Sequence, residues 1–394
     1  MSFHFSLARL PRIEFGAGAI TQLPHIVGRY GRRMLLVTGA RSFVESPRWQ
    51  ALASGLQERG IEWLMFQVAE EPSPELVDDA VRQFGSRAFD VVVGLGGGSA
   101  LDAAKAIAGL LKPGNSVVDH LEGVGPELPY IGPATPFIAI PTTAGTGSEA
   151  TKNAVLSRHG ADGFKKSFRD ERLVAEYAIV DPDLLATCPP GIIAANGMDA
   201  FTQLLESYVS TRANPLTDAL AMDGMAAVRD GLLPWFEGEG DGEANRVRMA
   251  YAALLSGITL AQVGLGSVHG LAAPLGAFSP IPHGVACGTL AAEATRVNIR
   301  VIKARDPENQ ALNKYAEVGR LLSGKALPDD EAHDALIRIL EDWTARLAIP
   351  RLSAYGITES DVSNIVANSR GSSMKTNPIV LHDDEIAALL RARF

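Results

Sequence analysis

The chain has 394 residues, is 46% hydrophobic with a mean hydropathy of +0.09, and carries a formal net charge of −9. That length buries sizeable cores and predicts about two domains, while the acidic balance and short cationic runs such as Arg32-Arg33 exclude a nucleic-acid surface. The absence of any run of about 20 apolar residues excludes a membrane span, and two cysteines without zinc-ribbon or redox spacing, together with an amino terminus unlike a signal peptide, predict a cytoplasmic setting.

Along residues 1–185, short apolar runs alternate with helical stretches. RRMLLVTGA, EWLMFQVAE, FDVVVGLGGGS, TPFIAIPTTAG and EYAIVDP are rich in Val, Ile, Leu and Phe and end in Gly, Thr, Asp or Pro. Near-continuous apolar strands separated by helices predict a parallel sheet covered on both faces. FDVVVGLGGGSALDAAKAIAGLL reads as a strand, a glycine turn and a helix. Gly96, Gly97 and Gly98 let backbone approach a ligand, Ser99 can cap the helix, and the helix amino terminus would face a pyrophosphate. The spacing departs from the usual dinucleotide fingerprint, and no GK[ST] follows to make a P-loop. A second small-residue turn, IPTTAGTGSEAT, offers Thr142, Thr143, Thr146 and Ser148 after another apolar strand. Two such turns suit a nucleotide in the crevice above a doubly wound sheet.

After VDPDLLATCPPG the texture becomes Ala/Leu-rich with helical periodicity, so an all-helical domain is expected over 186–394. In GMDAFTQLLESYVS, Asp199 and Gln203 are four apart and share a helix face. Of eight histidines, only His269 in SVHGLAAPLG and His283 in IPHGVACG sit in glycine-rich, uncharged surroundings. An acid and two imidazoles can hold a divalent cation with a position left for substrate. His120, His159, His333 and His382 lie in polar or charged stretches and read as surface residues.

GGGSALDAAKAIA, IPTTAGTGSEAT, IVDPDL, GMDAFTQLLESYVS, VHGLAAPLGAF and PHGVACG, taken in order, resemble the signature blocks of the iron-containing (group III) alcohol dehydrogenase family. The resemblance runs from about Phe5 to NPIVLHDDEI. It implies an α/β Rossmann-like amino-terminal domain, an all-α carboxyl-terminal domain and an active site in the cleft between them. It places pyrophosphate contacts on Gly97, Gly98 and Ser99, with Asp102 one turn on, and nicotinamide and ribose contacts near Thr142, Thr143, Thr146, Ser148, Asn153 and Lys165. It places metal ligands, for Fe²⁺ or Zn²⁺, on Asp199, Gln203, His269 and His283. Many members carry an acidic residue after the first strand to hold the ribose 2′-hydroxyl; here that position is Gly39, followed by Arg41 and Ser42. Loss of the carboxylate removes repulsion against a 2′-phosphate and favours NADP over NAD.

Two departures stand out. Gln203 replaces a ligand histidine and either ligates through its amide oxygen, or makes no metal contact and hydrogen-bonds substrate, or is a satisfied polar residue at a helix crossing; Ala273 replaces a histidine often found four residues after the third ligand. The expected reaction is reversible hydride transfer between NAD(P) and an alcohol or aldehyde, by a homo-oligomer, with the cation polarising the oxygen. Alternatives are a metal-independent reductase similar to maleylacetate reductases and a nucleotide-binding homologue without catalysis. A dehydroquinate-synthase-like or glycerol-phosphate-dehydrogenase-like enzyme would need phosphate-binding cations that the stretch between His269 and His283 lacks.

Overall fold

The structure, a computed structural model, describes residues 4–39, 43–160 and 163–394. Arg41 and Ser42 lie outside the described residues. The amino-terminal half contains β1 (Arg12–Phe15), β2 (Arg33–Thr38), β3 (Glu62–Gln67), β4 (Val91–Gly96), β5 (Phe137–Pro141), β6 (Asn153–Arg158), β7 (Phe164–Arg169) and β8 (Tyr177–Val180). Its helices are α1 (Leu23–Val27), α2 (Pro47–Glu58), α3 (Pro74–Phe84) and α4 (Gly98–Leu110). Six strands form one parallel sheet in the order β1-β8-β5-β4-β2-β3.

Alternation along the strands explains the layers. Met34 and Leu36 of β2 face a cluster built with Leu23, Ile26 and Leu56 of α1 and α2. Leu35 and Val37 face the opposite way, onto Val77 and Phe84 of α3 and Leu101 and Ile107 of α4. Both faces are therefore buried, which is why the strands read as unbroken apolar runs. β6 and β7 pair antiparallel as a separate ribbon, absent from the sequence-based expectation because NAVLSR is apolar only over Ala154–Leu156 and FKKSFR is mostly polar and charged.

The carboxyl-terminal half is helical: α5 (Pro190–Val209), α6 (Pro215–Glu237), α7 (Gly242–Val263), α8 (Ser267–Phe278), α9 (His283–Arg305), α10 (Gln310–Ser323), α11 (Asp329–Arg346), α12 (Val362–Asn368) and α13 (Asp383–Arg391). Its core includes Met198, Phe201 and Leu204 of α5, Leu275 of α8 and Leu290 of α9. Small residues set the closest approaches between the halves. Gly147, at φ +60°, brings its backbone so near Gly257 of α7 that a Cβ on either residue would clash with the other's backbone. His333, expected on the surface, is 2% exposed, with Nε2 2.8 Å from the Leu312 carbonyl. That hydrogen bond satisfies one ring nitrogen inside the α10–α11 packing. Among the described residues, no single helix is long and apolar enough to cross a membrane.

Candidate metal and nucleotide site

The sheet order reverses between β2 and β4, and the crevice at such a switch point is the usual ligand position in doubly wound sheets. Gly39 follows β2 there, and Gly97 to Ser99 follow β4. The Thr142–Thr146 turn follows the neighbouring β5. Gly39, Gly97, Gly98, Ser99, Thr142, Thr143 and Thr146 are all half-buried, unlike the buried strands beneath them. Gly97 caps α4 with no side-chain hydrogen bond of its own, so the first N–H groups of that helix face outward for an anion. A Cβ at Gly98 would sit 2.7 Å from Thr146 Cγ2, so only glycine lets the two turns meet.

Three residues expected at this site serve to hold it together. Asp102 accepts from Ser148 Oγ at 2.5 Å and from the Val155 N–H at 3.1 Å. Asn153 gives its carbonyl to the Lys105 ammonium at 2.8 Å. Lys165, on β7, donates to both oxygens of Glu71 at 2.8 and 2.9 Å, and Glu71 also accepts from Ser157 Oγ. Glu71 was invisible from sequence: it lies in the charged, proline-rich EEPSPE loop after β3, where acidic residues are ordinary.

Asp199 on α5, His269 on α8 and His283 at the start of α9 converge with Cys287, their ligand-type atoms all within 4.8 Å of one another. His269 Nδ1 lies 2.7 Å from Glu206 Oε2 and its Nε2 lies 3.2 Å from Asp199 Oδ1. Glu206 also accepts backbone N–H groups of Gly266 and Val268, capping α8 where that helix has no cap of its own. With Nδ1 at Glu206, Nε2 of His269 faces a carboxylate oxygen, a pair that is held together by a proton on Nε2 or by a cation in that proton's place. Buried Asp199 Oδ2 and His283 Nδ1 have no hydrogen-bond partner. A buried anion with an orphaned oxygen is a standing demand for a positive ligand.

The electrostatics show how strongly this cluster of acids draws positive charge. Burial pushes the Asp199 carboxyl up, but His283 and His269 outweigh it and leave the group below its usual range. Burial pulls His283 down to about 4, so its imidazole is neutral at pH 7 with a lone pair free to coordinate. Burial likewise opposes charge on His269, but Cys287, Asp199 and Glu206 around it raise its pKa well above the ordinary value.

Gln203 lies on the same face of α5 as Asp199, one turn on, and its Oε1 accepts from Ser256 Oγ at 2.6 Å. Ser256 Oγ is also 3.4 Å from the Gly145 carbonyl, so this amide is tied towards the turn after β5. Ala273 is half-buried on α8. Two residues of the cluster escaped the sequence reading although their spacing was available. Cys287 is four residues after His283 on one helix, and Glu206 is seven after Asp199 on another.

Residues 11–182 match the family profile described as iron-containing alcohol dehydrogenase, and residues 193–394 match the carboxyl-terminal domain of the Fe-containing alcohol dehydrogenase family. The chain is 32% identical to long-chain-alcohol dehydrogenase 1 of Geobacillus thermodenitrificans (strain NG80-2), covering 99% of this chain and 97% of that one. It is 31% identical to an NADPH-dependent butanol dehydrogenase of Clostridium saccharobutylicum, over 96% of this chain and 95% of the relative. The crystal structure of a 1,3-propanediol oxidoreductase superposes with a TM-score of 0.89, covers 100% of both chains and shares 29% identity.

Proposed function

The chain belongs to the iron-containing alcohol dehydrogenase family, and from that premise we propose how its residues carry out the family's reaction. The protein is an NAD(P)-dependent oxidoreductase acting on CH–OH groups, with hydride passing reversibly between the nicotinamide and an alcohol or aldehyde. Asp199, His269 and His283 hold the divalent cation. The observation that carries this is the convergence of their donor atoms around a buried carboxylate whose Oδ2 has no hydrogen-bond partner, with Glu206 at Nδ1 of His269 orienting that ring so that Nε2 faces Asp199 Oδ1 at 3.2 Å. Gln203 stands at the fourth ligand position, with its Oε1 shared with Ser256.

When bound, the cation supplies a Lewis acid for the alcohol oxygen and the nicotinamide carries the hydride. The side chains position both. Asp199 brings the negative charge and His283 a neutral nitrogen donor. Gly97, Gly98 and Ser99 present backbone to the pyrophosphate, and Thr142, Thr143 and Thr146 line the adjoining wall. Asp102, Ser148 and Asn153 hold that wall in place, and the Lys165 ammonium, paired with Glu71, is near enough to His283 to disfavour charge on its ring. Ala273 offers no proton acceptor, so water or the ribose hydroxyls would relay the proton released from the hydroxyl. The uncharged stretch between His269 and His283 suits a neutral alcohol rather than a carboxylate or phosphate.

Gly39 with Arg41 and Ser42 favours NADP, and the boundary between the nucleotide half, 1–185, and the metal half, 186–394, lies in the segment joining β8 to α5. The protein acts in the cytoplasm as a homo-oligomer. Elemental analysis of gently purified protein, paired with NADPH oxidation over an aldehyde panel, tests the main reading. About one divalent metal per chain and turnover abolished by chelation are expected; undiminished turnover without metal would assign the metal-independent reductase chemistry instead. NADPH binding with no turnover across the panel would leave only a binding homologue. Gly39→Asp is expected to move the NADH to NADPH ratio of kcat/KM by about tenfold, equivalent to ~1.4 kcal/mol of added repulsion at the 2′-phosphate. An unchanged ratio would put the ribose pocket elsewhere.

A further inference from the structure

We propose that Cys287, rather than Gln203, is the fourth protein ligand of the cation, which makes this a thiolate-bearing site suited to zinc. The inference rests on the reading that a cation sits among Asp199, His269 and His283, and it changes what kind of cation that is. Cys287 Sγ lies 3.6 Å from His269 Nε2 and 3.8 Å from His283 Nε2, the same two nitrogens that face Asp199 Oδ1 at 3.2 and 3.8 Å. A tetrahedral centre with metal–nitrogen bonds of about 2.0–2.1 Å and a metal–sulfur bond of about 2.3 Å needs N···S edges of about 3.5 Å and N···O edges of about 3.3 Å. Three of these four separations lie within about 0.3 Å of those edges, the His283–Asp199 one is about 0.5 Å longer, and all four donor atoms lie within 4.8 Å of one another.

Gln203 fits the role less well. An amide can coordinate only through Oε1, and that atom accepts a 2.6 Å hydrogen bond from Ser256. Cys287, by contrast, is fully buried, and its Sγ is turned into the cluster, against both imidazole nitrogens and the Asp199 carboxylate. Its position is fixed by α9, which also carries His283 one turn earlier, so both donors come from one rigid face. A set of one carboxylate oxygen, two imidazole nitrogens and one thiolate sulfur is softer than one completed by an amide oxygen. It strengthens the preference for Zn²⁺ over Fe²⁺ that nitrogen donors already show. On binding, the thiol proton is released to solvent as the sulfur–metal bond forms; no electron is transferred.

Cobalt loading of the full chain tests this, because a thiolate–Co²⁺ bond gives a near-ultraviolet charge-transfer band that nitrogen and oxygen donors do not. The wild-type protein with one equivalent of Co²⁺ should show that band. Gln203→Ala and Cys188→Ser should keep it, while Cys287→Ser should lose it yet still bind cobalt with its visible ligand-field bands. The wild-type and Cys188→Ser spectra together decide the matter even if a Cys287 variant fails to fold, because these are the chain's two cysteines. Cobalt bound at one equivalent in the wild type without the band would overturn the proposal and leave the metal reading standing. Failure of the wild type to take up cobalt or zinc at all would remove both.

Discussion

Glu206 joins three tasks in one carboxylate: it caps α8, orients His269 and places negative charge behind the metal cluster. Its replacement therefore has a specific signature. In Glu206→Gln the side chain keeps its shape, but one oxygen becomes an N–H donor. The amide cannot accept from both the α8 backbone and the imidazole, so His269 loses either its tautomer lock or its basicity. Removing such an outer partner typically costs about 10–100-fold in metal affinity. Competition with a chromophoric chelator should show a loss of that order for Zn²⁺, with the fold retained by circular dichroism. Unchanged affinity would mean that Glu206 serves the helix alone. Asp199, His269 and His283 were legible because polar groups in glycine-rich, uncharged context have few structural uses. Cys287 and Glu206 were not, since a cysteine among alanines reads as a small core residue and a glutamate in a helix reads as surface charge. His333 misled in the opposite direction, because its charged neighbours in sequence point outward while its own ring is turned into the α10–α11 packing.

At the scale of elements, α4 is bound to the turn after β5 by one buried ammonium. Lys105 Nζ donates to the Ser148 carbonyl and hydroxyl, Thr151 Oγ1 and the Asn153 carbonyl at 2.8 to 3.0 Å, and Asp102 lies 3.8 Å away. Burial pulls this lysine down to about 8, with Asp102 and Glu149 holding it up, so it remains charged at neutral pH. The two nucleotide-binding turns thus share a clamp, and their spacing depends on it. Lys105→Met fills the same volume but strands these acceptors and a carboxylate without a counter-charge. Breaking a buried pair in this way costs about 3–5 kcal/mol. Thermal unfolding should register a loss of that size, and NADPH affinity should fall with it; a variant as stable as the wild type would show that the acceptors find other partners. The strands of the main sheet that read as apolar runs were legible because both faces are buried. The β6–β7 ribbon was not, because a two-stranded element resting on α4 and α8 needs no continuous apolar face.

Across the whole molecule, the sequence pattern implied the two layers of helices but not the strand order, which depends on long-range pairing that no local window contains. That order leaves β1 at one edge, paired among the described residues only with β8. The segment leading into it carries Phe5 at 48%, Leu7 at 48% and Leu10 at 37% exposure, and Phe15 at its end is 38% exposed. An open sheet edge beside exposed apolar side chains is a template for pairing with another chain. Two copies meeting edge to edge through this segment would bury those side chains and continue the sheet, which is how the expected homo-oligomer would form. Light scattering on the wild type should then give about twice the 41.8 kDa chain mass. The paired substitution Phe5→Asp and Leu7→Asp would place four carboxylates across a two-fold contact and should return the protein to the monomer mass. Because subunit association stabilises by mass action, the wild-type Tm should also rise with protein concentration while that of the variant should not. A wild type that runs as a monomer at all concentrations, or a variant that stays dimeric, would move the interface away from this edge.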